Sequence, residues 1–477
     1  MKTQIQINPA DNVAVALTPT ANTPKGHKLA LHNIKKGEKV IKYGQTIGTA
    51  TSDIPTGAWV HTHNMRTNLD EAVEYSYHPI PIHIPPIEPA FFNGYLRENG
   101  NVGIRNSIWI IPTVGCVNNV ATAIQKLSQK YITENIDDIV AFPHPYGCSQ
   151  MGEDQENTIK ILGNLINHPN AGGVLVIGLG CENISIDLLK EYIGDYNPQR
   201  VKFLQAQECE DEIVEGARLI KELVEYAHQF TRQPVSSREL VIGLKCGGSD
   251  GLSGITANPI TGMFSDKLIG MGGSTILTEV PEMFGVETLL MNRCKTDELF
   301  QETVALINNF KEYFAFHNQV VYENPSPGNK DGGISTLEDK SAGCVQKSGT
   351  APIVGVLSYG EPLKKRGLNL LNSPGNDLVA TTALAASGAQ MVLFTTGRGT
   401  PFASPVPTIK ISSNTSLATH KSNWIDFDCG SLIEHHHPES LSDEFFDFVL
   451  EIASGKKSKS ELMGFHDMAI FKQGVTL

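Results

Sequence analysis

The chain has 477 residues, 40% of them hydrophobic, with 44 glycines and 26 prolines spread along it and a formal net charge of −13. That length and apolar content suit several globular domains rather than a disordered or fibrous chain. The acidic balance, with no Lys/Arg run, argues against a nucleic-acid partner, and no stretch approaches the ~20 apolar residues of a membrane span.

The first segment, MKTQIQINPADNVAVAL, lacks the apolar core of a signal peptide. Residues 1–76 alternate in short strand-like runs (TQIQI, NVAVAL, KLAL, KVIKYG, TIGTA, AWVHTH) separated by turn signals, which predicts a small all-β domain. Residues 77–90 carry prolines at 79, 81, 85, 86 and 89 and read as an extended linker, because proline fixes φ and resists helix. From 91 to 235, strand runs (SIWIIPTV, DIVAFPH, GVLVIGLG, VKFLQA) alternate with helical periods, the last across 209–229. A polar break at FTRQPVSSREL precedes a third part, 236–477, which alternates again and closes on the helical SDEFFDFVLEIASG. The expected architecture is multidomain: a small N-terminal all-β domain, then two α/β domains with largely parallel sheets.

Most of these strands end in glycine and a reactive side chain. PTVGCVNN supplies Cys116, YGCSQ supplies Cys148, GLGCEN supplies Cys181 and Glu182, and KCGGSDGLSGITANP supplies Cys246, Ser249, Asp250 and Asn258. ILTEVPEMFG supplies Glu279 and Glu282, SPGND supplies Asn376 and Asp377, and TTGRGTP supplies Arg398. Open α/β sheets bind ligands beyond the carboxyl ends of their strands, so this repetition points to a polar small-molecule site. No nucleotide is expected: VIGLGCEN has Asn183 where G-x-G-x-x-G needs glycine, and no phosphate-cradling P-loop sequence occurs. The eight cysteines form no CxxC pair, which fits a reduced, cytoplasmic protein without a zinc ribbon. Cys209, Cys294, Cys344 and Cys429 read as small buried hydrophobes. Cys116, Cys148 and Cys181 could converge as thiolate ligands of a metal or, as a remoter alternative, an iron–sulfur cluster.

Two histidine features stand out. EHHHPE, 434–439, reads as an exposed loop. WVHTHN places His61 and His63 at alternate positions of a strand-like segment, so both should project to one face. With His27 of KGHKLAL they would make a facial set suited to Fe²⁺, Mn²⁺ or Zn²⁺. Lys42, in KVIKYG, is a further cation candidate.

Long stretches across the whole chain, among them HTHNMRTNL, IPTVGCVNN, YGCSQMGEDQ, GGSDGLSGITANP, LTEVPEMFG, ENPSPGNKDGG and LFTTGRGTP, resemble the galactarate/altronate dehydratase family. The resemblance implies an N-terminal SAF (β-clip) domain and Fe²⁺ or Mn²⁺ as cofactor. It implies a hydro-lyase of hexuronate breakdown that removes the C2 proton and C3 hydroxyl of a sugar acid. The substrate expected first is D-altronate, giving 2-keto-3-deoxy-D-gluconate. The H-x-H pair favours altronate over galactarate, with another aldonate or aldarate, or a non-catalytic sugar-acid binder, as alternatives. On this reading His27, His61 and His63 hold the metal, with Cys116, Cys148 and Cys181 as alternative ligands. Glu182, Asp250, Glu279 and Asp377 are the acid/base candidates. Lys42 and Arg398 face the substrate carboxylate, and Ser249, Asn258 and Asn376 its hydroxyls. The expected partners are the sugar acid and, as a possibility, further copies of the chain.

Overall fold

The computed structural model of the chain describes residues 3–69, 74–435 and 437–477; His436 of EHHHPE lies outside them. The N-terminal part holds two antiparallel sheets. One orders Gln4–Ile5, Val13–Ala16, Lys28–Ala30 and Trp59–Val60, and the other Lys39–Lys42, Gln45–Ala50 and Met65–Arg66. Val13, Ile34, Val40, Ile47, Ile54, Val60 and Met65 close a small apolar core of their own. Residues 74–90 have no regular structure and lie along the C-terminal part, where the Tyr77 hydroxyl donates to the Cys294 carbonyl at 2.6 Å and Ile87 N to Gly270 O at 2.9 Å.

The second part is a four-stranded parallel sheet ordered Ile139–Ala141, Ser107–Pro112, Ala171–Gly178, Val201–Gln205. Its two inner strands are wholly buried apolar runs, as a sheet covered on both faces requires. Helices Asn118–Ser128, Gly152–Ile166, Ile186–Ile193 and Glu212–Ala227 cover it. The first strand lies between the second and third, so the chain reverses direction across the sheet at the carboxyl end of Ser107–Pro112.

The third part is a seven-stranded sheet in which every pairing is parallel: Ile353–Leu357, Leu368–Leu371, Ser274–Leu277, Val241–Cys246, Met391–Thr396, Thr408–Ser412, Phe427–Asp428. Val241–Cys246 is first in the chain and fourth in space, which puts the reversal point at Cys246. The polar break FTRQPVSSREL contains a strand, Gln233–Ser236, that pairs antiparallel with Phe91–Leu96. Pro234 is tolerated there because this is an edge strand of its small sheet.

The small β domain docks on the third part at glycines. A Cβ on Gly251 would lie 1.9 Å from the Gly26 carbonyl oxygen, and one on Gly333 (φ +102°) 2.6 Å from the same atom. No side chain fits this approach. Among the described residues no helix is long and apolar enough to cross a membrane.

Candidate active site

The reversal point of the seven-stranded sheet carries a cluster of charge that the apolar core would otherwise exclude. Lys245 and Cys246 end the central strand. The Lys245 ammonium donates to Asp377 Oδ1 at 2.8 Å, to the Cys246 carbonyl at 2.6 Å, and to Glu279. Glu279 ends the neighbouring strand's loop in the left-handed region (φ +68°), which is strained for a side chain of this size. That bend turns its carboxyl back under the sheet edge and starts the 3₁₀ turn Val280–Met283, which delivers Glu282. From the other side come helix Leu337–Cys344 and the turn Val345–Ser348. Their Lys340, Cys344 and Lys347, at spacings of four and three, share a helical face. Lys340 pairs with Glu282 at 2.7 Å, the Lys347 ammonium donates to Cys246 Sγ at 3.0 Å, and Cys344 Sγ lies 3.4 Å from Cys246 Sγ. All are buried except Asp377, whose side chain is 33% exposed. Asp377 is therefore the cluster's face toward solvent.

The environment separates the proton affinities of the two glutamates. Burial and the neighbouring Glu282 charge raise the Glu279 carboxyl well above its usual range, against the pull of Lys245. Glu282 resists the same burial because Lys340, Lys347 and Lys245 hold it well below that range. Cys246 falls to about 6: the hydrogen bond from Cys344, with Lys347 and Lys245 nearby, outweighs burial. The shared hydrogen bond, with burial, pushes Cys344 up. Burial opposes the Lys245 charge, but Glu279, Asp377 and Glu282 more than restore it. Three lysines thus face Glu282, Cys246 and Asp377, and burial favours the protonated form of Glu279.

The histidines sit where the small domain meets this body, in an arrangement unlike the expected strand pair. The strand ends at Val60, and His61–Asn64 is a turn: Asn64 N donates to the His61 carbonyl at 3.0 Å and His61 N to the Asn64 side chain at 2.9 Å. Asn64 breaks the i, i+2 alternation by capping the backbone itself. His27 and His61 do come together, with ring centroids 5.3 Å apart, while His63 is exposed and lies against the Trp59 ring. The His27 ring has Trp59 Nε1 at 3.1 Å on one nitrogen and the Asp331 carbonyl at 3.1 Å on the other. The His61 ring has Thr62 Oγ1 at 3.0 Å and the Lys330 carbonyl at 2.9 Å. Burial keeps both rings neutral, His61 down to about 4. These rings latch the small domain to segment 330–331.

Lys42 is likewise interfacial rather than open to a substrate. Lys28 and Lys42 reach one carboxylate, Asp339, at 2.7 and 3.0 Å, with all three side chains at 0–2% exposure. Asp250 organises its own loop, accepting from Leu252 N, Ser253 N and the hydroxyls of Ser253 and Ser413. Asn258 ties Gly343 O to the Thr395 hydroxyl, and Asn376 caps helix Asp377–Ala386. Ser249 keeps a buried hydroxyl with no partner among the described residues. Arg398 is exposed beside Gly248 and Gly328, and its guanidinium makes no ion pair or hydrogen bond among the described residues. Glu182 lies in the second part, where its carboxylate accepts from the Thr113 hydroxyl at 2.6 Å, Gly180 N at 2.6 Å and Leu179 N at 3.1 Å. Burial works against its charge, but these donors lower its pKa. Cys116, Cys148 and Cys181 are exposed in the same region.

A divalent ion fits the expected histidine set poorly, because each ring nitrogen of His27 and His61 already has a protein partner. Among the described residues, Cys246, Glu282 and Cys344 are the group whose ligand atoms lie within 4.8 Å of one another. Lys340 and Lys347 already neutralise that group, so a second charge of +2 there meets the repulsion of two ammoniums in a buried site.

Comparison with known proteins covers the whole chain. Profiles described as altronate/galactarate dehydratase SAF domain, D-galactarate dehydratase/altronate hydrolase second domain, and D-galactarate/altronate dehydratase C-terminal match residues 17–68, 94–228 and 237–476. Altronate dehydratase of Bacillus subtilis (strain 168) is 51% identical over 100% of both chains, and altronate dehydratase of Escherichia coli (strain K12) 50% identical over 99% of both. Galactarate dehydratase (L-threo-forming) of Escherichia coli (strain K12) is 32% identical over 98% of this chain and 96% of its own.

Proposed function

Since the chain belongs to the galactarate/altronate dehydratase family, we propose that it is a hydro-lyase converting D-altronate to 2-keto-3-deoxy-D-gluconate and water. The observation that carries the site assignment is the buried Lys245 ammonium joining a fully buried carboxyl, Glu279, whose proton affinity burial raises, to a partly exposed one, Asp377. The reaction needs one base and one acid. Asp377 takes the C2 proton, being the member of the cluster that solvent and substrate reach. The electron pair left at C2 forms the C2–C3 double bond as the C3 hydroxyl departs, and Asp377 returns the proton it has taken to that oxygen to release water, while the buried Lys245–Glu279 pair holds Asp377 in place. Lys245, fixed between the two, offsets the charge that builds on the substrate carboxylate during deprotonation. The enol then tautomerises to the 2-keto acid, taking a proton at C3. Arg398, exposed at the adjoining strand end with no ion pair among the described residues, suits the substrate carboxylate, and the Ser249 hydroxyl, without a partner among those residues, suits a sugar hydroxyl.

The test is turnover of D-altronate to a 2-keto acid by the purified protein, with and without added Fe²⁺ or Mn²⁺, beside galactarate, mannonate and gluconate. D-altronate should be the best substrate, and Glu279→Gln and Asp377→Asn should each lower kcat by about 10²–10⁴. A protein inert on all four acids, or full activity in both variants, would defeat this reading.

A further inference from the structure

The second part of the chain carries a thiol site that the chemistry proposed above does not use. Its three strand-end loops, 113–118, 144–150 and 179–184, are braced against each other. Gly115 N donates to Tyr146 O at 2.9 Å, and Asn118 Nδ2 to His144 O at 2.9 Å. Ile184 N donates to Gly147 O at 3.1 Å, Ser149 N to the Asn183 side chain at 2.8 Å, and the Thr113 hydroxyl to Glu182 at 2.6 Å. A Cβ on Gly147 would lie 1.9 Å from Thr113 O, so the middle loop crosses directly over the first.

Each loop presents one cysteine immediately after a glycine, and Cys116, Cys148 and Cys181 are all exposed while Cys246, Cys294, Cys344 and Cys429 are buried. Free cysteine is among the most buried residue types, so three exposed thiols on one sheet edge are out of character for packing residues. The sheet reverses its strand order at this edge, the usual place for a ligand in such a fold. Helices Asn118–Ser128, Gly152–Ile166 and Ile186–Ile193 all begin just after the cysteine loops, and their amino-terminal ends favour negative charge there. Gln207 Nε2 already donates to Cys181 Sγ at 3.8 Å.

We propose that Cys116, Cys148 and Cys181 are the protein ligands of an iron–sulfur cluster. The three thiols do not lie within 4.8 Å of one another as one ion requires, whereas a cluster interposes iron and sulfide between its thiolates and spans a wider triangle. On binding, each thiol gives up its proton and forms one bond to iron. Three protein thiolates leave one iron of a four-iron cluster open to a ligand from solution. The cluster does not rest on the function proposed above.

The full-length protein is incubated anaerobically with ferrous and ferric iron, sulfide and a thiol reductant, then desalted. The wild type and a Cys209→Ser control should retain about four iron and four sulfide per chain, with visible charge-transfer absorption and an electron paramagnetic resonance signal after reduction. Cys116→Ser, Cys148→Ser and Cys181→Ser should each lose most of the sulfide and the signal. Because the three side chains are exposed, circular dichroism should stay at the wild-type value, which separates ligand loss from misfolding. Wild-type protein that retains no sulfide, that binds a single metal ion without sulfide at these thiols, or whose sulfide content survives in all three variants overturns the proposal. None of these readouts needs substrate, so failure of the dehydratase reading would leave this result standing, and the reverse.

Discussion

Asp339→Asn is the substitution with the largest worked consequence. The carboxylate is fully buried and receives Lys28 at 2.7 Å and Lys42 at 3.0 Å, both from the small β domain. At an effective dielectric of about 20 each attraction is worth about 6 kcal/mol, set against several kcal/mol to desolvate each ion. Removing the charge keeps those desolvation costs and loses the attractions. Lys28 retains only the Gly333 carbonyl, and Lys42 the face of Tyr43. Breaking a single buried pair typically costs 3–5 kcal/mol, so a loss of about 3–5 kcal/mol in docking the small domain is expected. The sign with pH follows from the wild-type shift: Lys28 and Lys42 overcome burial to hold Asp339 well below the usual carboxylate range. Its stabilisation is therefore complete above the unfolded value of about 4 and disappears as pH falls toward the folded value. Urea melts followed by Trp59 emission report on the docking, because Trp59 packs against His27, His61 and His63. Proteolysis across residues 77–90 should release the small domain from the variant first. Replacing all three charges, with Lys28→Met, Lys42→Met and Asp339→Leu together, should recover most of the loss. A loss below about 1 kcal/mol in Asp339→Asn, with unchanged proteolysis, would refute the argument.

Three further outcomes are expected. Gly251→Ala puts a methyl 1.9 Å from the Gly26 carbonyl oxygen and should loosen the same docking by about 1–3 kcal/mol in the urea melt; an unchanged midpoint counts against the glycine contact. Lys347→Met removes the ammonium 3.0 Å from Cys246 Sγ, so the thiolate ultraviolet absorbance, read against a Cys246→Ser baseline, should titrate above the wild-type value of about 6. Burial lowers His144 to about 4 and His168 to about 3. Above about pH 6.5 neither state binds these protons; below it the unfolded chain does and the native one does not, so stability falls with pH by up to about 2.7 kcal/mol per unit for the two together. Urea midpoints between pH 7 and 5 check this, and a His168→Gln variant should show roughly half the histidine slope.

The architecture was legible because buried parallel strands are continuous apolar runs and helices repeat every 3.6 residues, as in SIWIIPTV against NTIKILGNLINH. The edge strand Gln233–Ser236 was not, since its pairing with Phe91–Leu96 is non-local and its composition is that of a loop. The strand-end polar residues Glu279, Asp377 and Arg398 were legible as a set, but their separate jobs were not. Asp250 and Asn376 spend their hydrogen bonds on the backbone, which is the ordinary use of such side chains in turns and caps. Lys42 read as a cation for the substrate carboxylate because its real partner, Asp339, lies 297 residues away and cannot be seen locally. The cluster's other half had a signal that went unread: Lys340, Cys344 and Lys347 fall on one helical face in DKSAGCVQKS, so three reactive side chains had to point the same way.

That face is half of what the helix Leu337–Cys344 does. All eight of its residues are buried, and they divide between two neighbours. Glu338 accepts from the Thr67 hydroxyl and Asn68 N, and Asp339 holds Lys28 and Lys42, so these two residues grip the small β domain. Lys340 and Cys344 reach Glu282 and Cys246, so these two set the charge of the strand-end cluster. A buried helix with charged partners on both sides cannot shift without breaking pairs worth several kcal/mol. The docking of the small domain and the proton affinities at Glu279 and Cys246 therefore depend on one rigid element, and 330–331 adds the His27 and His61 latch just before it. The Asp339→Asn variant should consequently move the Cys246 titration as well as the docking. A cluster that merely filled space would leave that titration where it was.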